Sequence, residues 1–317
     1  MKDFGKYRCS REPLANDSRL TTEARNEDSL HLDTMTTQEI LTLINAEDHK
    51  VAPAVAAAIP QIAKAVDLIT GRLKAGGRLF YVGAGTSGRL GILDVAEVRP
   101  TFGIGLETVE AIIAGGTRAI TQAVEEAEDD FDQGGEELRL REVNENDVVV
   151  GIAASGSTPF VLGALVAARE AGAATIGIAC NHNSRLREYS DVTIEVVVGP
   201  EVLTGSTRMK AGTAQKMVLN MISTATMVNL GQVYENLMVG MHITNTKLVQ
   251  RAIRIVSAAA GVSNDEAVAL LEASGKDIKT AIVMGKLRVD AAAARELLEK
   301  AEGYVRRAIA LGLNNRD

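Results

Sequence analysis

The sequence predicts an α/β fold, a doubly wound parallel sheet of five strands followed by a small C-terminal helical subdomain. Five short apolar runs alternate with segments whose apolar residues recur at helical spacing, as is typical of parallel strands covered by helices on both faces. After Gly231 the pattern is helical to the end of the chain. The length of 317 residues suits one α/β domain with a smaller companion. The five predicted strands are 78–82, 109–114, 147–153, 174–179 and 192–198.

Helices are predicted on both sides of these strands. Thr36 or Thr37 can cap a first helix, and Val51–Leu73 is a longer one that ends at the Gly76-Gly77 pair. Further helices are predicted at 90–98, 119–141, 160–171 and 206–230, and a capping-box sequence at 263–266 begins a short helix in the tail. We therefore divide the chain into four parts, which are a flexible extension over 1–20, a helical segment over 21–59, the α/β domain over 60–230 and the helical subdomain over 231–317.

Composition and charge exclude several classes of partner. The net charge of −7 disfavours binding to nucleic acid and to anionic lipid, so we expect neither. The chain has two cysteines, Cys9 and Cys180, so we expect no disulfide framework and a cytoplasmic protein. The first twenty residues lack the apolar core of a signal peptide, and no run of about 18 apolar residues predicts a transmembrane helix. We expect no metal site, because the histidines lack ligand spacing: His31, His49, His182 and His242.

The loop after the first strand has the pattern of a nucleotide-binding turn. Gly83–Gly88 is a G-x-G-x-x-G sequence between a strand and a helix, which raises a dinucleotide hypothesis. A dinucleotide site also needs an acidic residue at the end of the second strand. That strand instead runs into 114–117, a small-residue turn, and Glu107 and Glu110 lie at or before its start. We therefore expect no NAD and no other cofactor.

The loop after the third strand matches the first in chemistry. Residues 153–158 are again small and hydroxyl-bearing, and Pro159 suits the first turn of a following helix. Both loops belong to the carboxyl edge of the predicted sheet, where open α/β sheets bind ligands. Hydroxyls and free N–H groups at helix N-termini favour a phosphate monoester over the alternative of plain capped turns. Neither loop has a P-loop lysine, which disfavours nucleotide hydrolysis. The predicted contacts are Thr86, Ser87, Gly88, Ser155, Gly156, Ser157 and Thr158.

A third polar segment precedes the last long helix of the α/β domain. Residues 201–216 carry many polar groups before the apolar stretch of that helix begins. One interpretation is an ordinary helix start with a solvated face. The functional interpretation is a further wall of the same site, with Ser206, Arg208 and Lys210 as substrate contacts alongside Thr204.

These segments resemble a known enzyme family. The stretches at 83–103 (GAGTSGRLGILDVAEVRPTFG), 148–159 (VVVGIAASGSTP) and 204–221 (TGSTRMKAGTAQKMVLNM) resemble N-acetylmuramic acid 6-phosphate etherases. So do 22–29, 44–55 and the tail at 261–284, and the resemblance runs from about residue 21 to the C-terminus. The family is built on a sugar-isomerase (SIS) domain and is related to the glucokinase regulatory protein, which is not an enzyme.

The resemblance implies a reaction as well as a fold. It implies a lyase that eliminates D-lactate from C3 of N-acetylmuramic acid 6-phosphate and then adds water, giving N-acetylglucosamine 6-phosphate in the recycling of cell-wall sugars. The aldehyde of the opened sugar is the electron sink, so no metal or cofactor is implied. SIS domains of this kind pair, which implies a homodimer. Two alternatives use the same loops, namely a sugar-phosphate sensor without turnover and a sugar-phosphate isomerase.

The resemblance places the two acidic residues of the family on Glu97 and Glu128. Elimination calls for one acid and one base. This chain departs from the family at 98–99, where Val-Arg replaces a frequent Cys-Pro, and at Ser157, where the family often has a basic residue. From the residues alone, Glu128 lies in an acidic run typical of a solvated helix face, so the neighbouring acids at 125–126 stay open as the base.

Glu97 also raises a question of distance. It follows Ser87 by about ten residues, which is about 15 Å if the helix between them is straight. Either that helix ends early, near Asp94, or Glu97 serves a site shared with another subunit.

Overall fold

The computed structural model describes residues 20–105, 107–243 and 245–314. The predicted flexible extension lies outside these residues, except for its last one. The described chain divides into two compact units. The first unit comprises the described residues up to Val95 and those within Glu107–Ile222. The second unit comprises the described residues within Ala96–Leu106 and those from Ser223 onward. The four-part division of the sequence remains a prediction.

The first unit contains the predicted parallel sheet of five strands. The strand order is β2-β1-β3-β4-β5, and every neighbouring pair is parallel. The three central strands are buried along their whole length, because helices cover both faces. The fold class is therefore confirmed. The strands are β1 Leu79–Gly83, β2 Val109–Ile113, β3 Val148–Ile152, β4 Ala174–Ala179 and β5 Val192–Glu195.

The described helices that belong wholly or partly to the first unit precede, alternate with and follow these strands. A capping box formed by Thr36 and Glu39 begins the first of them. The helix after β1 runs from Gly85 to Phe102, and so it does not end near Asp94. The seven are α1 Thr37–Asp48, α2 Val51–Lys74, α3 Gly85–Phe102, α4 Arg118–Thr121, α5 Phe131–Arg139, α6 Pro159–Glu170 and α7 Lys210–Asn229.

The prediction of one helix over 119–141 was wrong. The chain forms the short helix α4, then a 3-10 helix at Glu125–Asp129, and then α5. Asp130 has an extended backbone and accepts a hydrogen bond from the Gln133 amide, so it caps α5 and separates it from the preceding turn. In a continuous helix, acidic side chains of this run that are four positions apart, such as Glu125 and Asp129, would also repel one another.

One helical stretch of the described chain, Thr37–Lys74, is long and apolar enough by length and composition to cross a membrane. No such helix is predicted from the sequence. Length and composition are weak evidence, because a core helix of a soluble protein satisfies both. Side chains along one face of α2 are buried: Val51, Val55, Ala58, Ile62, Ala65, Val66 and Ile69.

The second unit has a helical core of its own. Side chains cap the N-termini of four described helices that follow α7. In three of them Ser263, Asp277 and Asp290 each accept a hydrogen bond from the amide three residues on. Asn245 caps the first helix in the same way. These helices are α8 Thr246–Ala260, α9 Asn264–Ala273, α10 Ile278–Leu287, α11 Ala291–Lys300 and α12 Val305–Asn314, and a two-stranded antiparallel pair, β6 Val233–Tyr234 and β7 Leu237–Met238, precedes them.

Candidate active site

The sheet places the two predicted phosphate loops side by side. Strands β1 and β3 are neighbours, and Gly83 at the end of β1 is in register with Ile152 at the end of β3. Both loops therefore leave the carboxyl edge of the sheet next to each other. Helix α3 begins at Gly85 and helix α6 at Pro159, so each loop leads directly into a helix N-terminus. Free N–H groups at such ends attract an anion.

The loop after β1 is tight because glycines let its backbone turn back on itself. A Cβ added at Gly83 would lie 2.7 Å from the Gly88 nitrogen, and one added at Gly88 would lie 2.6 Å from a side-chain carbon of Ile113. Side chains at these positions would therefore force the loop open. This steric requirement explains the glycine spacing without a dinucleotide.

Helix α7 lies against the loop after β1. The Ser87 hydroxyl donates a hydrogen bond of 2.9 Å to Oε1 of Gln215, and both residues are buried. A Cβ added at Gly212 would lie 3.3 Å from the Thr86 methyl carbon. The structure thus brings the first loop and the start of α7 together.

The loop after β3 is held by its own hydroxyls. The Ser155 Oγ accepts from the Ser157 amide and from the Ser157 hydroxyl, both at 3.2 Å. Gly156 has a φ of +74°, and a Cβ there would lie 2.3 Å from the Cβ of Ser184. Asn181 after β4 donates to the Ala154 carbonyl at 3.1 Å, which joins this loop to the next strand end.

The N-terminus of α7 is capped by the side chain of Glu201, which precedes Lys210 by nine positions. Glu201 accepts from the amides of Lys210, at 3.0 Å, and Ala211, at 2.9 Å. Burial is the main reason that the pKa of Glu201 is raised, although these two amide donors oppose the shift. Glu201 therefore satisfies N–H groups that a substrate would otherwise meet at this helix end.

Lys210 is engaged inside the protein. It is 1% exposed, and its ammonium donates to the carboxylate of Glu47, which Lys50 also contacts. Burial alone would raise the pKa of Glu47, but the hydrogen bonds from Lys210 and Lys50 lower it. Ser206 is partly exposed and Arg208 is exposed. That Lys210, Ser206 and Arg208 contact the substrate remains a prediction.

The two acidic residues lie on different elements and in different units. Glu97 has an exposed side chain on α3, and its carbonyl accepts from the Thr101 hydroxyl at 2.6 Å. Glu128 lies in the 3-10 helix at Glu125–Asp129. Its side chain reaches solvent, yet desolvation by surrounding protein raises its pKa, and the charges of Asp129 and Glu125 add to this.

Four residues that support these loops were not predicted from the sequence. Gln215, Asn181, Glu201 and Glu47 each hold a predicted contact or the helix that carries it. Glu47 and Gln215 stand inside the 44–55 and 204–221 stretches already singled out, but only the fold reveals their partners. Among the described residues, no group of three or more His, Cys, Asp or Glu is arranged to hold a metal ion.

Two family models match the region that carries these loops. The glucokinase regulatory protein N-terminal SIS domain matches residues 61–169. The SIS domain matches residues 117–225. The SIS-type architecture expected from the resemblance is therefore confirmed.

Full-length relatives extend the match over nearly the whole chain. N-acetylmuramic acid 6-phosphate etherase 1 of Bacillus licheniformis is 53% identical over 292 residues, which cover 92% of this chain and 96% of the relative. The N-acetylmuramic acid 6-phosphate etherase of Cutibacterium acnes is 53% identical over 91% of this chain and 95% of its own. Among solved structures, a phosphoheptose isomerase of Neisseria gonorrhoeae aligns with a TM-score of 0.47 at 19% identity, covering 60% of this chain and 98% of that one.

Proposed function

This chain belongs to the N-acetylmuramic acid 6-phosphate etherase family, and from that premise we propose that it removes D-lactate from C3 of N-acetylmuramic acid 6-phosphate. The products are D-lactate and N-acetylglucosamine 6-phosphate. The enzyme is a carbon–oxygen lyase of carbohydrate metabolism that acts in the recycling of peptidoglycan sugars.

One structural observation supports a phosphorylated substrate. Two hydroxyl-rich loops leave neighbouring strands at the carboxyl edge of the sheet, and each leads into a helix N-terminus. A phosphate monoester offers oxygens that accept from hydroxyls and from free N–H groups, and its charge suits the positive end of a helix. We therefore assign the phosphate to Ser87, in the first turn of α3, and to Ser157, in the loop before α6, with Ser206 and Arg208 as further contacts.

The reaction needs an acid and a base because an alkoxide is a poor leaving group. In the opened sugar, the aldehyde at C1 makes the proton on C2 acidic. A base removes that proton, lactate leaves from C3 with a proton from an acid, and water adds to the resulting double bond. Each such proton transfer contributes about 10²–10⁴-fold to the rate. Binding energy from the distant phosphate holds the sugar in place during these steps.

We assign the base to Glu128 and the acid to Glu97. The raised pKa of Glu128 supports the first assignment, because a stronger base takes the C2 proton more readily. Glu97 lies on the exposed surface of α3, where its carboxyl can reach a bound molecule. Because α3 continues to Phe102, Glu97 stands about 15 Å along the helix from Ser87. We infer that it serves a substrate bound to the loops of a second subunit.

A homodimer follows from this inference and is supported by the surface of α1. Leu41 is 61% exposed, Leu43 and Ile44 are partly exposed, and Ile59 on α2 is 50% exposed. Large apolar side chains exposed on a surface are typical of interaction sites when they cluster. We place the dimer in the cytoplasm. Burial inside the fold raises the pKa of the Cys180 thiol to about 12, so this thiol is unreactive.

The proposed activity is tested by incubating the full chain with N-acetylmuramic acid 6-phosphate and measuring D-lactate with a D-lactate dehydrogenase. Stoichiometric D-lactate and N-acetylglucosamine 6-phosphate are expected. Folded protein that binds the substrate and releases no lactate would contradict the proposal and favour a sensor. A ketose phosphate formed without loss of lactate would favour an isomerase.

A further inference from the structure

The buried amide of Gln215 contacts a predicted phosphate ligand. Gln215 lies on the second turn of α7 and is 1% exposed, and Ser87 is 7% exposed. Oε1 of the amide accepts the Ser87 hydroxyl at 2.9 Å. The amide nitrogen Nε2 is buried and has no hydrogen-bond partner within residues 20–105, 107–243 and 245–314. A buried N–H group without a partner is rare in folded proteins.

A bound ligand cannot reach this nitrogen where it lies, because Nε2 has almost no exposed surface. Rotating the amide by 180° exchanges Oε1 and Nε2 without changing the shape of the side chain. Nε2 then donates to the Ser87 hydroxyl oxygen, and the carbonyl oxygen takes the position without a partner. A carbonyl tolerates that position better than an N–H group does.

The two orientations give Ser87 opposite roles. When Oε1 faces Ser87, the Ser87 hydroxyl donates its proton to Gln215, and Ser87 can offer only its lone pairs, as an acceptor, to a ligand in the site. Phosphate oxygens are acceptors, so that arrangement would repel them. When Nε2 faces Ser87, the hydroxyl oxygen accepts from the amide and its proton is available to a phosphate oxygen.

We propose that Gln215 is a positioning residue that donates to Ser87 and thereby directs the Ser87 proton to the phosphate of the substrate. The proposal rests on the phosphate assignment made for the proposed function. Gln215 touches no reacting atom. Its effect reaches the substrate only through Ser87, so it should govern phosphate affinity and leave recognition of the sugar ring unchanged.

The test compares the affinity for N-acetylglucosamine 6-phosphate with that for N-acetylglucosamine, which lacks the phosphate. Both are measured on the full chain, by calorimetry or as competitive inhibition constants, at pH 8.5. The ratio of the two affinities isolates the phosphate contribution. Gln215→Glu keeps the shape but, once ionised, only accepts, so it captures the Ser87 proton. We expect the ratio to fall by about tenfold or more, the value of one hydrogen bond to a charged group.

Two further variants separate positioning from a structural role. Gln215→Met removes the donor and leaves Ser87 unoriented, so we expect a smaller, severalfold fall in the ratio and no further fall in a Ser87→Ala background. Thr226→Val is the matched control, because Thr226 lies buried on the same helix and its hydroxyl has no partner among the described residues. It should leave the ratio unchanged. Thermal melts show whether each variant is folded. If Gln215→Glu does not fold, the result for Gln215→Met is the test of the proposal.

The proposal is overturned if Gln215→Glu keeps the wild-type ratio, or if Gln215→Met lowers it equally with and without the Ser87 hydroxyl. Equal loss of affinity for both ligands would also overturn it, since that is the mark of a merely structural residue. A wild-type chain that shows the phosphate-dependent ratio but releases no lactate would contradict the proposed function alone.

Discussion

Replacing Lys210 by methionine should lower the free energy of unfolding by about 3 kcal/mol. The side chains of Lys210 and Glu47 are 2% and 3% exposed and form an ion pair. Removing one partner of such a pair costs about 3–5 kcal/mol, because the other charge stays buried and unpaired. Lys50 also contacts Glu47 and is 56% exposed, so part of the compensation survives and the lower end of the range applies.

Urea unfolding followed by far-ultraviolet circular dichroism measures this loss. Lys64→Met is the control, because Lys64 is an exposed residue of α2 whose change should stay within about 0.5 kcal/mol. Despite burial, hydrogen bonds from Lys210 and Lys50 lower the pKa of Glu47 in the folded protein. The ionised carboxylate therefore contributes its full stabilisation above pH 4.5, the ordinary pKa, and this stabilisation is lost as the pH falls through the lowered pKa of the folded state. The difference between Lys210→Met and wild type should therefore shrink below pH 4.5. A loss smaller than about 1 kcal/mol at neutral pH, with an unchanged m-value, would refute the reasoning.

Three predictions concern the glutamates. Glu97→Ala should lose lactate release yet still exchange the C2 proton with heavy water. Glu128→Ala should lose both lactate release and this exchange. Full exchange in Glu128→Ala, seen by NMR, would show that Glu128 is not the base. Since Glu125 raises the pKa of Glu128, Glu125→Gln should move the acid limb of the pH–rate profile to lower pH, while Glu126→Gln should leave it in place. Mixing inactive Glu97→Ala and Glu128→Ala subunits should restore about a quarter of wild-type activity, because half of the dimers would be mixed and each would hold one intact shared site. Activity that stays at zero after verified subunit exchange would contradict a shared site.

The sheet could be predicted because each strand leaves a local signature. Strand β4 was predicted at 174–179 and lies at Ala174–Ala179, since its apolar run is short, unbroken and buried on both faces. The loops after β1 and β3 were predictable for the same reason, because glycine and hydroxyl residues follow directly on strand ends. The strand order then brings these two loops together.

The supporting contacts could not be predicted because they join distant parts of the chain. Glu47 and Lys210 are 163 positions apart, and Ser87 and Gln215 are 128 apart, so no spacing in the sequence relates them. The break at Asp130 was missed for a different reason. An acidic run of this kind also fits an exposed helix face, and the capping hydrogen bond that ends the turn is visible only in the structure.

The central claim is that lactate leaves by elimination and that water then adds to the sugar. The position of a label tests it most directly. When N-acetylmuramic acid 6-phosphate is turned over in heavy water labelled with heavy oxygen, N-acetylglucosamine 6-phosphate should carry carbon-bound deuterium at C2 and the heavy oxygen at C3. D-Lactate should carry neither carbon-bound deuterium nor heavy oxygen in its hydroxyl group. Heavy oxygen in the lactate, with unlabelled C2 and C3 in the sugar, would contradict the account.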